Sequence, residues 1–143
     1  MASYIRQRPA SWFRTVATML LLWGLLGCLI FYSHATLSPQ RASELAFWNW
    51  EYYQAVPRWF LVDYAIGVGA SLLGSLAMLR RSRKANILYV VSLAAVIVQF
   101  GYLFATGMVS GPVQAFVIPA FILGVAIFQI WLAGMATRRG WIR

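Results

Sequence analysis

The chain has 143 residues, of which 62% are hydrophobic and only 10% are charged. Because ordinary soluble domains carry about 25% charged residues, this composition argues against a soluble fold and favours an integral membrane protein. The formal net charge of +9 is concentrated in short clusters beside apolar blocks. These clusters contain no groove-reading motif, so we expect no nucleic-acid partner.

Long apolar blocks dominate the chain, and each approaches or exceeds the roughly 20 residues that cross a hydrocarbon core as a helix. The four blocks cover about residues 15–32, 59–79, 87–106 and 113–136. They predict an all-α fold, a bundle of four transmembrane helices forming a single membrane domain over residues 1–143. Pro119, inside the fourth block, removes one backbone hydrogen bond and can kink that helix.

Arginine and lysine are distributed unequally about these spans. Only Arg41 and Arg58 fall on the side that carries residues 33–58. The other ten basic residues share the opposite side: Arg6, Arg8, Arg14, Arg80, Arg81, Arg83, Lys84, Arg138, Arg139 and Arg143. Since cytoplasmic loops are enriched in basic residues, this pattern predicts cytoplasmic N- and C-termini and an extracytoplasmic first loop.

Two processing signals compete with an intact first span. The "SHA" at residues 33–35 resembles a signal-peptidase site, but the preceding apolar stretch is longer than that of a signal sequence. The "LLGC" ending at Cys28 resembles a lipoprotein box, but the residues after it are apolar where a polar tether is expected. An uncleaved span with a buried thiol is therefore favoured. One cysteine also excludes an intrachain disulfide.

The first loop contains the aromatic stretch "LAFWNWEYYQAVPRW". Ser38 can cap a helix, Pro39 suits its first position and Pro57 ends the pattern, so an amphipathic helix is predicted over about residues 39–55. Aromatic rings favour the membrane interface, and an aromatic platform covering a sugar-binding pocket is the alternative. The interfacial aromatic residues are Trp48, Trp50, Tyr52, Tyr53 and Trp59.

Polar residues in three spans form a candidate pocket. Asp63 lies about one turn inside the second span, Gln99 and Tyr102 lie in the outer half of the third, and Gln114 begins the fourth. Ionisable groups within spans are functional candidates, so these four residues are predicted to line an outward-facing pocket. The alternatives are a solvated Asp63 at headgroup depth and ordinary interhelical hydrogen bonds. Gln129 is predicted to lie nearer the cytoplasmic side, outside this group.

Small and polar residues also recur at four-residue spacing in the second span, at Asp63, Gly67, Ser71 and Ser75. Small residues allow helices to approach closely, so this face is predicted to point into the bundle.

Residues suited to catalysis or cofactor binding are scarce. His34 is the single histidine. One hypothesis is that His34 and Met108 are axial haem ligands, but an interfacial histidine is the favoured interpretation. No nucleophile–base arrangement is visible, and "GVGASLLG" lies within a span, where its glycines serve packing. We therefore expect no enzymatic activity, no catalytic residue, no metal and no cofactor.

Several of these segments resemble a family of small, uncharacterised four-helix bacterial inner-membrane proteins, some of which carry a loose "sugar transporter" label. The resemblance covers about residues 23–102. This chain departs from the family at Cys28, where members have an aliphatic residue, and at Asp63, where they have a small apolar one. The resemblance is carried by Trp23-x-x-x-Gly27, Pro57-x-Trp59, the small-residue run 67–74, Ser92 and Gln99. The resemblance implies four helices in the bacterial inner membrane and no established activity.

Two functions follow as expectations. The scarcity of ionisable groups favours an accessory or structural subunit that packs against a larger membrane complex, in contact with lipids and other membrane helices. The alternative is an oligomeric transporter of small, sugar-like solutes with an outward polar pocket, because four spans are too few to enclose a route alone.

Overall fold

The computed structural model describes residues 8–36, 56–107 and 113–143. These ranges contain four helices, and each is long and apolar enough to cross a membrane. The helices are α1 (Ser11–Thr36), α2 (Arg58–Leu79), α3 (Lys84–Ala105) and α4 (Gln114–Arg138). The all-α prediction with four candidate spans is therefore confirmed. The predicted interfacial helix over residues 39–55, with Trp48, Trp50, Tyr52 and Tyr53, lies outside the described residues.

The helices extend past some of the apolar blocks that predicted them. α1 continues beyond residue 32 to Thr36, and two hydroxyl groups in this last turn bond to the preceding turn. Ser33 Oγ donates to the carbonyl of Leu29 at 2.9 Å, and Thr36 Oγ1 donates to the carbonyl of Tyr32 at 2.7 Å. Hydrogen bonds of this kind satisfy the polar side chain within the helix itself. α4 continues through Pro119.

Each helix packs on the next one in the chain: α1 on α2, α2 on α3 and α3 on α4. α2 and α3 make the most extensive contact and form an antiparallel hairpin joined by the short basic turn at residues 80–83. Gly24 permits the close approach of α1 to α2, since a Cβ atom there would lie 2.9 Å from Leu72 Cα. The small face of α2 points into the bundle as predicted, with Gly67, Ser71 and Ser75 buried.

We call the end of the bundle that carries the α2–α3 turn the basic end, and the opposite end, where α1 finishes and α2 begins, the loop end. Side chains from all four helices form a buried layer at the basic end, and the C-terminal residues Trp141 and Ile142 complete it. The backbone of Arg143 pairs with the turn, donating to the Arg81 carbonyl at 2.7 Å and accepting from Arg83 N at 2.9 Å. The helices are thus tied together firmly at this end.

Candidate functional site

A cavity of about 460 Å³ lies among the four helices in the loop-end half of the bundle. Its volume falls within the range of roughly 300–1,000 Å³ typical of small-molecule sites. Most of its wall is aliphatic or aromatic, and none of the described residues that line it is Asp, Glu, Lys or Arg. Its polar lining residues are His34, Tyr64, Ser71, Ser92, Gln99 and Gln129.

The mouth of the cavity lies between α1 and α4. Lining residues on these helices are exposed, at 49% for Leu26 and 58% for Val117, whereas Phe60 and Phe100 on α2 and α3 are buried. α1 and α4 are not among the closely packed helix pairs. The Trp23 and Phe121 rings meet edge to face across this gap, with centroids 5.4 Å apart. For a bundle in a bilayer, such a mouth faces the lipid.

The deepest part of the wall is polar. Gln129 on α4 is 1% exposed, and its Nε2 donates to Ser71 Oγ on α2 at 2.9 Å. One turn further towards the basic end, Ser75 Oγ donates to the Ser71 carbonyl at 3.0 Å and lies 2.9 Å from the Tyr89 hydroxyl. This buried chain of hydrogen bonds joins α2, α3 and α4. We call Ser71 and Gln129 the polar floor of the cavity.

A second polar contact lies on the α2–α3 wall. Ser92 Oγ on α3 donates to the Gly67 carbonyl on α2 at 2.8 Å. A serine or threonine hydroxyl within a helix commonly bonds to the carbonyl four residues earlier, which for Ser71 is the Gly67 carbonyl. Here that carbonyl accepts from Ser92.

The buried layer at the basic end closes the bundle beyond the polar floor. Tyr89, Met78 and Leu132 are all 0% exposed, and Trp141 is 4% exposed. The ring of Phe13 on α1 packs against Trp141, with centroids 5.2 Å apart. A packed layer from all four helices therefore separates the cavity from the basic end.

The structure brings only part of the predicted pocket to this cavity. Gln99 lines it, whereas Asp63 and Tyr102 are absent from its wall. The Tyr102 ring instead packs edge to face on Trp59, which is 45% exposed, with centroids 5.0 Å apart. Gln114 begins α4, and its side chain lies outside the described part of the chain.

Asp63 is half-buried on α2. Its Oδ2 atom is inaccessible to solvent and has no hydrogen-bond partner among the described residues. Since ionised carboxylates are costly to bury unpaired, this position suits a headgroup region better than the hydrocarbon core.

Sequence reasoning missed the polar floor. Gln129 was expected to lie apart from the outward group because of its distance along α4, yet Gln99 and Gln129 line the same cavity. The spacing of Gly67, Ser71 and Ser75 indicated the face of α2 that forms the floor. Nothing in the spacing within α4 indicated that Gln129 meets Ser71, since that contact depends on how two distant helices pack.

His34 lies at the loop end of the cavity wall, with its ring 5.5 Å from that of Tyr64. Met108, the second axial ligand in the haem hypothesis, lies outside the described residues. Within residues 8–36, 56–107 and 113–143, no group of three or more His, Cys, Asp or Glu side chains is placed to hold a metal ion. The side chains around the cavity are thus suited to binding by apolar contact and neutral hydrogen bonds.

No family model, curated protein or solved structure matches the chain. The resemblance to small bacterial inner-membrane proteins accordingly stays a prediction.

Proposed function

We propose that this protein is a non-enzymatic accessory membrane protein that binds an apolar or amphiphilic molecule from the bilayer in its four-helix cavity. The observation that carries the proposal is the cavity itself, whose mouth lies between α1 and α4 and whose wall is largely apolar. A molecule dissolved in lipid reaches such a mouth without crossing water. Apolar walls with a few placed polar groups are typical of sites for molecules of this kind.

Transport of a polar solute is the second candidate. It is supported by Gln99 and Gln129, whose amides can bond to sugar hydroxyl groups from the cavity wall. The buried layer around Tyr89 argues against it, because a solute would have to pass through close-packed side chains. The mouth between α1 and α4 also offers a sugar no aqueous entrance at hydrocarbon depth.

We also propose partners and a membrane location, from the exposed apolar side chains and the distribution of basic residues. The exposed apolar side chains of all four helices suit contact with lipid and equally with the helices of a larger complex. Placing the basic end in the cytoplasm satisfies the positive-inside rule, with the loop end outside, in a bacterial inner membrane.

Filling the cavity tests the proposed binding. Ala126 is 4% exposed on the cavity wall, whereas Ala120 on the same helix is exposed and absent from that wall. In nanodiscs that contain farnesol, native mass spectrometry is expected to find one retained farnesol on the wild type and on Ala120→Phe. The Ala126→Phe variant should lose it while keeping its unfolding temperature within a few degrees.

Retention of farnesol by Ala126→Phe at the wild-type level would refute cavity binding. The transport candidate has a separate test in proteoliposomes loaded from outside with radiolabelled glucose. We expect uptake equal to that of protein-free vesicles, and saturable uptake that Ala126→Phe abolishes would instead establish the transporter.

A further inference from the structure

The polar floor has hydrogen-bonding capacity that the protein itself leaves unused. Gln129 is 1% exposed and lines the cavity, and its Nε2 is engaged by Ser71 Oγ. Its other amide atom, Oε1, accepts no hydrogen bond from the described residues and is not among their solvent-inaccessible unpaired atoms. An amide oxygen this deep in a fold ordinarily has a hydrogen-bond partner. The floor therefore contains an acceptor that a molecule in the cavity can use.

Ser71 adds a donor beside this acceptor. Its Oγ accepts from Gln129, and its own hydroxyl hydrogen has no acceptor among the described residues. The Gly67 carbonyl, one turn earlier, accepts from Ser92 Oγ instead. Ser71 is 7% exposed, so bulk water does not readily supply the missing acceptor. The floor thus pairs one free O–H donor with one free C=O acceptor.

Depth restricts the charge of the group that can use this pair. Gln114 and Gln129 are 15 residues apart along α4, which at 1.5 Å per residue places Gln129 about 22 Å from the loop end of the helix. A hydrocarbon core is about 30 Å thick, so the floor lies well inside it. A charged headgroup there would need a countercharge, and the described lining residues include no Asp, Glu, Lys or Arg.

We propose that the cavity selects a neutral lipid alcohol, whose hydroxyl donates to Gln129 Oε1 and accepts from Ser71 Oγ while its hydrocarbon chain runs along the apolar wall to the mouth between α1 and α4. This inference rests on the proposed binding function and specifies its ligand. A hydroxyl group is matched to the floor because it donates and accepts at one atom. A carbonyl group can use only the donor, and a hydrocarbon can use neither.

Four ligands that share a farnesyl hydrocarbon chain but differ in their terminal group test whether the cavity selects a hydroxyl. Purified protein in detergent micelles is incubated with tritiated farnesol in a scintillation proximity assay, and unlabelled farnesol, farnesal, farnesene and farnesyl phosphate are added as competitors. Two neutral hydrogen bonds are worth about 0.5–1.5 kcal/mol each, so farnesol is expected to bind about 5- to 150-fold more tightly than farnesene. Farnesal should fall between them, and farnesyl phosphate should compete most weakly.

Two variants separate the floor from the rest of the wall. Gln129→Met preserves side-chain length without the amide, and it should reduce the preference for farnesol over farnesene to less than about twofold while farnesene affinity is unchanged. Gln99→Met removes the other cavity amide, which lies nearer the loop end, and should preserve the preference. If Gln129→Met fails to fold, Ser71→Ala makes the same test from the α2 side.

The outcomes distinguish this inference from the function beneath it. Equal binding of farnesol and farnesene by the wild type, or loss of preference in Gln99→Met alone, would overturn the assignment of the hydroxyl to the floor and leave cavity binding intact. Farnesal as tight as farnesol would overturn the role of Gln129 as acceptor. Binding of none of the four would overturn the proposed function as well.

Discussion

At the scale of single residues, small side chains set how closely the helices approach. Gly74 on α2 faces Tyr89 on α3, and a Cβ atom at this glycine would lie 2.8 Å from two atoms of the ring. Tyr89 cannot easily yield, because it is 0% exposed and its hydroxyl lies 2.9 Å from Ser75 Oγ. The absence of one methyl group therefore allows the hydrogen-bond chain beneath the cavity to form.

Substitution of this glycine has a clear expected result. Gly74→Ala should lower the free energy of unfolding by about 1–3 kcal/mol, because overpacking against a rigid ring forces helices apart. Gly69→Ala on the same helix is the matched control, since nothing lies within 4 Å of its added Cβ. Unfolding in mixed micelles of increasing denaturing detergent measures both. Equal stability of the two variants would contradict the close contact.

At the scale of elements, the α2–α3 turn combines backbone strain with contacts to the C-terminal residues. Arg81 has φ = 62°, a left-handed conformation that costs non-glycine residues roughly 1–2 kcal/mol. Its Nε donates to the Trp141 carbonyl at 2.9 Å, and its own carbonyl accepts from Arg143 N. These contacts offset the strain by holding Trp141 and Ile142 in the buried layer.

Two substitutions at Arg81 separate strain from side-chain bonding. Arg81→Ala loses the bond to Trp141 and keeps the strain, whereas Arg81→Gly loses the bond and relieves the strain. We expect the glycine variant to be more stable than the alanine variant by about 1 kcal/mol in the same unfolding assay. The order should reverse at Arg80, where φ is −79° and glycine only adds unfolded-state freedom. The same order at both positions would contradict the turn geometry.

At the scale of the whole molecule, the basic clusters and the cavity lie at opposite ends. The turn, the C-terminal residues and the start of α1 place their basic side chains at one end: Arg8, Arg14, Arg80, Arg81, Arg83, Lys84, Arg138, Arg139 and Arg143. The cavity occupies the other half of the bundle. If the basic end is cytoplasmic, the mouth between α1 and α4 opens within the outer half of the bilayer.

The two exposed ends of α1 test this orientation. In a Cys28→Ala background, Ala35→Cys in intact cells is expected to react with a membrane-impermeant maleimide, whereas Ser11→Cys should react only after permeabilisation. The physical reason is the retention of Lys and Arg on the cytoplasmic side. Both positions are exposed in the bundle, so differences in burial do not confound the comparison. Labelling of Ser11→Cys in intact cells, with Ala35→Cys protected, would reverse the topology.

The all-α fold and the four candidate spans were predictable from the sequence, because apolar block length is a local property that hydrocarbon thickness selects. The sequence also predicted the inward face of α2, since four-residue spacing directs Gly67, Ser71 and Ser75 to one side of a helix. The set of polar residues that share the cavity was not predictable from the sequence and emerged from helix packing. Helix rotation and tilt depend on packing between distant segments, so they brought Gln129 to Ser71 and packed Tyr102 on Trp59, outside the cavity lining.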